Sequence, residues 1–367
     1  MKLFISCFAI SALFMLPAST GFADERCNGK ICGPDTNIEL KAKRKGGYRD
    51  GQSPEELAEA EQIAFDAAVE ANVFKPVIQD YEPSPAIWKL ADEDTTIYMF
   101  GTFHILPQGF QWRSDAFNAI VQQVDELVVE TSDADSEESL GEVMEEMFSD
   151  IFSDERTPVS ERISAENKEK WLRLGELADM PGPIFDRMPL FLSLMGAGLS
   201  ISEQAGSSGE YGVETVLEAE FKEASKPIGS IEDSGAVMSA LIGVDEDKLI
   251  IDLDKDLREW DGVSLASMFE IVDDNGDEEA GPFRSEHLWA QGKLDELAED
   301  EFGDSEVGRE IYRILITDRN RAWAMWLDDR LNQPGTILLA VGAAHFEGPD
   351  SVLNMLKERD LSANRLN

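Results

Sequence analysis

Basic residues are scarce in this chain, which has 32 lysines and arginines against 74 aspartates and glutamates and a formal net charge of −42. A surface with so large an excess of negative charge repels nucleic acid and anionic membranes, so the composition excludes both as partners. Long apolar runs are also lacking, because no stretch beyond the first residues reaches the length of a membrane-spanning helix. We therefore expect no transmembrane segment, and the acidic excess indicates a heavily solvated surface.

The start of the chain has the layout of a signal peptide. Lys2 precedes the apolar run 3–16, and a stretch of small residues then ends at Ala23. The run is too short to span a bilayer comfortably, and this layout predicts cleavage after Ala23. Residues 1–23 are therefore predicted to be a signal peptide, and the protein to be exported, either periplasmic or secreted.

Cysteine is rare, with three residues in the whole chain. Cys7 lies within the predicted leader, so Cys27 and Cys32 remain after cleavage. Outside the cytosol, two thiols this close are expected to form a disulfide. A redox or metal-binding pair is the alternative, which the four intervening residues and the lack of a nearby histidine disfavour.

The remaining pattern divides the chain into an N-terminal segment, 24–85, and a main domain, 86–367. The first contains the cysteine pair and a predicted amphipathic helix that starts at Ser53. The main domain starts with a predicted hairpin over 86–100 and continues as strand, helix, strand, the unit that builds a parallel sheet. Strands are expected at 127–130, 226–232 and 336–341, and helices at 114–124, 211–224 and 305–331. The region 133–182 is acidic and helical, and 188–201 is either a buried helix or an apolar wall beside a substrate.

Histidine is as rare as cysteine, and two of the three histidines end similar apolar runs. Phe100-Gly-Thr-Phe-His104 and Val341-Gly-Ala-Ala-His345 both read Gly-x-x-His after a stretch typical of a buried strand. Two further predicted strands end in Glu130 and Glu232. The carboxyl ends of parallel strands line the ligand crevice of an open α/β sheet, so we expect these four side chains to meet there.

Two imidazoles with one or two carboxylates suit a divalent ion such as zinc, manganese or cobalt. Such an ion lowers the pKa of its bound water and polarises a carbonyl, which is a route to hydrolysis. The structural alternative is that each histidine is a hydrogen-bonded core residue and that Glu232 pairs with Arg319. Arg319 itself either forms a salt bridge or binds a substrate carboxylate or an oxyanion. His287 has no equivalent elsewhere in the chain and is expected to be structural or on the surface.

Other chemistries are disfavoured. The chain contains no Gly-x-Ser-x-Gly, the motif that presents a serine nucleophile. The acidic run 273–279 resembles a calcium loop, but aligning its glycine with that of an EF-hand places Ile271 and Pro282 where oxygen ligands are required. We interpret this run as a solvated turn.

At these residues the sequence resembles the TraB/PrgY/GumN family, to which the Tiki metalloproteases belong. The similarity covers roughly 86–360 and rests on the two Gly-x-x-His motifs, Leu127-Val-Val-Glu130, Tyr211-Gly-Val-Glu214, Pro227-Ile-Gly-Ser-Ile-Glu232 and Asp318-Arg-Asn-Arg321. The resemblance implies an erythromycin-esterase/ChaN-like α/β fold, with a mostly parallel central sheet flanked by helices and a large helical insertion. It also implies a metal-dependent hydrolase site formed by His104, His345, Glu130 and Arg319, with Glu214 and Asn320 in support. Ala344 stands where the family usually has glycine, and Glu214 where it usually has aspartate.

The function we expect is an exported metal-dependent hydrolase, a peptidase or amidase that acts on a peptide or small-molecule substrate. His104 and His345 would bind the ion or move protons, and Glu130 would be a ligand or the general base. Arg319 would hold a substrate carboxylate or the developing oxyanion, and Glu214, Glu232 and Asn320 would support the site. The alternative is a binding protein that captures a peptide or polysaccharide without turnover. The sequence leaves the oligomeric state open.

Overall fold

The computed structural model describes residues 77–269, 283–296 and 305–367, and only the backbone of 133–137. The predicted signal peptide, the Cys27–Cys32 disulfide, the helix that starts at Ser53 and the acidic turn 273–279 lie outside the described residues, so these stay predictions. Within the described residues, no helix is both long enough and apolar enough to cross a membrane.

The described chain forms a central sheet with the strand order β6-β4-β7-β2-β1-β8 and a separate pair, β3-β5. The strands are β1 (Ile87–Ala91), β2 (Thr95–Thr102), β3 (Leu106–Pro107), β4 (Glu126–Val129), β5 (Ser207–Ser208), β6 (Ile228–Ser230), β7 (Gly335–Gly342) and β8 (Asn364–Arg365). Strands β6, β4, β7 and β2 are parallel, whereas β1 runs antiparallel to β2 and β8 antiparallel to β1. The prediction of a mostly parallel α/β sheet is confirmed.

The two central strands carry the apolar runs that the sequence singles out. β2 and β7 pair in parallel from Thr95 opposite Gly335 to Thr102 opposite Gly342. Residues 337–341 of β7 are all buried, as expected for a strand that is covered on both faces. The predicted hairpin is also present, because Asp92 Oδ1 accepts hydrogen bonds from the backbone N–H groups of Asp94 and Thr95 and so turns β1 into β2.

Helices cover the sheet and form a large insertion. They are α1 (Asp115–Gln123), α2 (Asp133–Ile151), α3 (Val159–Arg162), α4 (Lys168–Leu177), α5 (Gly182–Phe185), α6 (Leu190–Gln204), α7 (Val213–Glu223), α8 (Ser234–Ile242), α9 (Glu246–Glu259), α10 (Leu265–Met268), α11 (Arg284–Ala290), α12 (Glu306–Tyr312), α13 (Asp318–Arg330) and α14 (Val352–Glu358). The predicted helix over 305–331 is interrupted, since a π-helical turn, Arg313–Thr317, joins α12 to α13. Such wide turns are frequent at functional sites.

The buried apolar side chains form two clusters. The first surrounds the sheet, and the second lies among the inserted helices and includes Trp171, Phe185 and Leu253. The apolar run 188–201 belongs to the second cluster as the buried helix α6. The turn after β7 touches both, because Ala343 packs in the first cluster and Ala344 against the second. The residues that follow β7 therefore lie where the two cores meet.

Candidate functional site

The four side chains predicted to follow the parallel strands lie at one edge of the sheet. His104 follows β2, His345 follows β7, Glu130 follows β4 and Glu232 follows β6, and these strands are neighbours. His104 Nε2 and His345 Nε2 each lie 3.8 Å from Glu130 Oε1. His104, Glu130 and His345 are at most 1% exposed. Two imidazoles from distant parts of the sequence thus face the same carboxylate oxygen.

Gly101 allows the two histidine segments to cross closely. A Cβ atom on this residue would lie 3.0 Å from Ala343 Cα and 3.2 Å from Ala343 Cβ. The glycine of the first Gly-x-x-His motif therefore leaves room for the 3₁₀ turn Ala343–Phe346, which carries His345. This contact gives a packing reason for one half of the repeated motif.

Glu214 is placed against His104 by a second close approach. A Cβ atom on Gly212 would lie 2.0 Å from the His104 carbonyl oxygen, and the next residue, Val213, donates its N–H to Phe103 O at 3.0 Å. Glu214, in the first turn of α7, then has its Oε1 2.8 Å from His104 Nδ1. The two groups form a buried ion pair when the imidazole is protonated. Thr102 Oγ1 donates a short hydrogen bond to the same carboxylate oxygen.

Asn320 takes the equivalent position beside His345. Its Oδ1 lies 2.7 Å from His345 Nδ1, and its Nδ2 donates to the carbonyls of Asp350 at 2.8 Å and His345 at 3.3 Å. Asn320 and His345 are both fully buried, and the Trp323 ring contacts the imidazole in a tilted arrangement with the ring centroids 4.1 Å apart. Each imidazole is thus held at its Nδ1 side, which directs Nε2 towards Glu130.

Arg319 joins the two glutamates of the site. Its Nε and Nη2 form a bidentate pair with Glu232 at 2.9 and 2.7 Å, and Nη2 also donates to Glu130 Oε2. Its Nη1 donates to the Leu315 carbonyl of the π-helical turn at 3.0 Å. These bonds use all but one of the N–H groups that a guanidinium carries. Glu232 therefore pairs with Arg319, as the structural alternative has it. The same hydrogen bonds occupy the guanidinium with carboxylates of the protein itself.

The Nε2 atoms of both imidazoles are buried without a hydrogen-bond partner. Buried polar atoms are almost always paired, so two unpaired nitrogens that face one carboxylate fit a pair of ligands to an ion. However, among the residues that the structure describes, no group of three or more His, Cys, Asp and Glu side chains is arranged to hold a metal. An ion with bonds of about 2.1 Å would need its tetrahedral ligand atoms about 3.4 Å apart. The 3.8 Å from each Nε2 to Glu130 Oε1 is longer. Glu130 could therefore join the two imidazoles as a third ligand only if these distances shorten.

Comparison with known proteins identifies the family. The model of the TraB/PrgY/gumN family matches residues 86–365. The chain belongs to the TraB/PrgY/gumN family. No curated protein and no solved structure matches it.

The charges at this site of the TraB/PrgY/gumN chain do not balance. Glu130, Glu214 and Glu232 formally carry three negative charges against one positive charge on Arg319, so the four groups sum to −2 with both imidazoles neutral. Unbalanced charge is costly in a buried site. A divalent cation would balance this network, and so would protons on His104 and on Glu232, since burial raises the pKa of Glu232 and the pKa of His104 is raised as well.

The two imidazoles have opposite pKa shifts. Burial lowers the pKa of His104, but the Glu214 carboxylate, with a contribution from Glu130, outweighs burial and leaves the pKa raised. Burial and the positive charge of Arg319 hold the pKa of His345 well below its ordinary value. Burial raises the pKa of Glu130, but Arg319, the two histidines and the Gly342 N–H lower it to about 2. Glu130 is therefore ionised at neutral pH.

Several members of the site are missing from the sequence prediction. Trp323 donates its indole N–H to Glu232 at 2.9 Å, and the Gly342 N–H donates to Glu130 Oε1 at 2.6 Å. Trp323 follows Arg319 by one helical turn, a spacing that places both on the same face of α13. Thr102 and His104 are two residues apart, a spacing that places side chains on the same face of an extended segment. A shared partner for the two could therefore also have been expected. His287 is away from this network, with its Nδ1 2.6 Å from Tyr81 OH, in agreement with a structural role.

Proposed function

We propose that this chain is an exported metal-dependent hydrolase of peptide or amide bonds. The supporting observation is the pair of buried imidazoles whose Nε2 atoms have no hydrogen-bond partner and face the same oxygen of Glu130. The formal charge of −2 in the surrounding network, counted with both imidazoles neutral and all three glutamates ionised, is one that a divalent cation would balance. The peptide or amide substrate is suggested by the resemblance to the Tiki metalloproteases, and export by the signal-peptide pattern of 1–23.

In this proposal His104 and His345 hold a zinc, manganese or cobalt ion through Nε2. Such an ion, when bound, lowers the pKa of water and polarises the scissile carbonyl. The low pKa of Glu130 favours a permanently ionised ligand or hydrogen-bond acceptor over a general base, because a good base has a pKa near the working pH. Arg319 keeps this carboxylate in place through Oε2 and leaves Oε1 for the site.

A binding protein that captures a peptide or polysaccharide without turnover is the second candidate. The observation that favours it is the absence, within the described residues, of a three-ligand metal group, since Glu130 is already paired with Arg319 and Gly342. Both imidazoles are also almost completely buried. In that case the polar network would be a structural core of the fold.

Metal binding tests the site that the hydrolase requires. Thermal unfolding of the chelator-treated protein is measured with Zn²⁺, Mn²⁺ or Co²⁺, and with Mg²⁺ as a control for cations that bind the acidic surface. An ion present at a hundred times its Kd stabilises the folded state by about 2.7 kcal/mol. We expect this gain in the parent and in His287→Gln, which changes a histidine outside the site, and its loss in His104→Ala and His345→Ala. An equal response to every cation and in every variant would contradict the metal site.

Turnover is tested by digestion of a peptide library with the metal-loaded protein. We expect cleavage by the parent and by His287→Gln, and none by His104→Ala or His345→Ala. Specific metal binding without any cleavage would leave the binding protein as the better description. Cleavage that persists in His104→Ala would remove this imidazole from the reaction.

A further inference from the structure

The amide of Asn320 has only one orientation that satisfies its neighbours. On one side it meets the main-chain carbonyls of His345 and Asp350, at 3.3 and 2.8 Å. Carbonyl oxygens only accept hydrogen bonds, so the NH₂ group of the amide must lie on that side. Reversing the amide would bring its oxygen against two acceptors in a fully buried position, at the cost of both hydrogen bonds.

This orientation determines which nitrogen of His345 carries the proton. With the NH₂ group fixed by the two carbonyls, the atom 2.7 Å from His345 Nδ1 is the amide oxygen, Oδ1. Because that oxygen is an acceptor, Nδ1 must be the donor. A neutral imidazole that is protonated at Nδ1 has its lone pair on Nε2, the atom that faces Glu130 Oε1 at 3.8 Å.

We propose that Asn320 is a positioning residue that locks His345 in the Nδ1–H tautomer and so presents the Nε2 lone pair to the site. The two imidazoles then have different partners at Nδ1. His104 lies beside a carboxylate, Glu214, whereas His345 donates to a neutral amide. A carboxylate partner makes an imidazole a stronger donor to an ion than an amide does. His345 is therefore the weaker electron donor of the pair.

The tautomer is measured directly by NMR of the full chain labelled with ¹⁵N-histidine. The chain has three histidines, so His104→Gln and His287→Gln assign the remaining signals. In chelator-treated protein at neutral pH, we expect His345 to show a protonated Nδ1 and an unprotonated Nε2. A parent protein in which His345 carries its proton on Nε2, or on both nitrogens, would overturn the proposal.

Variants of Asn320 test whether the amide is the cause. Asn320→Leu removes the acceptor, and we expect the Nε2–H form of His345 to appear. Asn320→Asp keeps the acceptor towards Nδ1 but loses the donor to the two carbonyls, so we expect a less stable protein in which Nδ1 of His345 still carries a proton. Asn167→Leu is the matched control, because Asn167 is equally buried and donates its Nδ2 to Asp254 in the helical insertion. An unchanged tautomer in folded Asn320→Leu would show that something other than the amide fixes the ring.

These measurements use neither metal nor substrate, so they do not depend on the proposed hydrolase. A protein with the expected tautomer that cleaves no peptide would leave Asn320 as a positioning residue and refute the hydrolase alone. Active protein in which His345 is an Nε2–H tautomer would refute the role proposed for Asn320 and leave the hydrolase in place. If Asn320→Leu does not fold, the parent and Asn320→Asp spectra still decide the tautomer.

Discussion

Replacing Arg319 by methionine should destabilise the protein strongly, because it would leave two buried glutamates without their cation. Arg319 is 5% exposed and donates to Glu130, to both oxygens of Glu232 and to the Leu315 carbonyl. Removing one partner of a buried ion pair costs about 3–5 kcal/mol, mostly because the remaining charge stays buried. We therefore expect Arg319→Met to lower the free energy of unfolding by about 3–5 kcal/mol at pH 7.

The dependence on pH follows from the Glu130 carboxyl. In the parent its pKa falls from 4.5 to about 2. A carboxyl with a lower pKa in the folded state stabilises the protein above its unfolded pKa, and this contribution, about 3 kcal/mol here, is lost as the pH falls towards 2. In Arg319→Met, burial is no longer opposed by the guanidinium and should raise the pKa. The variant then binds a proton on folding, so its deficit relative to the parent should shrink from pH 8 to pH 5.

Equilibrium urea unfolding of the parent and variant at several pH values measures this deficit. Comparing the two proteins at each pH removes the effect of the large acidic surface, which both share. Arg321→Met is the control, since Arg321 lies on the same helix but is exposed and pairs with the exposed Asp318, at 3.0 Å. We expect this control to change stability by less than about 1 kcal/mol. A deficit for Arg319→Met below about 1 kcal/mol, or one that is constant from pH 5 to 8, would refute the reasoning.

Further predictions concern the packing and the titration of the site. Gly212→Ala should lower the free energy of unfolding by more than about 2 kcal/mol, since its Cβ would lie 2.0 Å from the His104 carbonyl oxygen. Gly141→Ala, with nothing within 4 Å of its Cβ, is the control and should be neutral or slightly stabilising in urea unfolding. In metal-free protein followed by NMR, His104 should titrate above the ordinary histidine pKa and His345 below it, and the reverse order would contradict the assigned environments. Trp323→Phe should lower the free energy of unfolding by about 1.5–3 kcal/mol, because it removes the indole N–H that donates to the buried Glu232 carboxylate. An unchanged unfolding midpoint would show that this hydrogen bond contributes little.

The parallel sheet was predictable because its strands carry a strong local signal. The apolar runs that lead to His104 and His345 lack the alternation of a half-buried strand, so they indicate strands covered on both faces. Parallel strands of one sheet end at a common edge, and this general rule is enough to expect the four terminal side chains near each other. The strand order brings the four ends together but places His345, after β7, between Glu130 and His104. The approach of both imidazoles to Glu130 Oε1 therefore depends on the turns that follow the strands.

Other features depend on tertiary contacts that leave no local pattern. Residues 313–317 have the same helical spacing as their neighbours, so their sequence does not predict the π-helical turn. The Leu315 carbonyl of this turn accepts a hydrogen bond from Arg319. Strand β8 is two residues long and is defined by its pairing with β1, so its sequence carries no period. The partners of Arg319 likewise depend on which carboxylates lie near its guanidinium in the folded protein. Spacing along the chain does not determine them.

The position of β7 has a consequence for biosynthesis. This strand lies between β4 and β2, yet it is translated after both of them and after β6. In a nascent chain, the edges of β4 and β2 that pair with β7 therefore lack their native partner until Gly335–Gly342 leaves the ribosome. The histidine pair therefore depends on this late strand, and a chain that ends before it would have His104 beside Glu214 but no second imidazole.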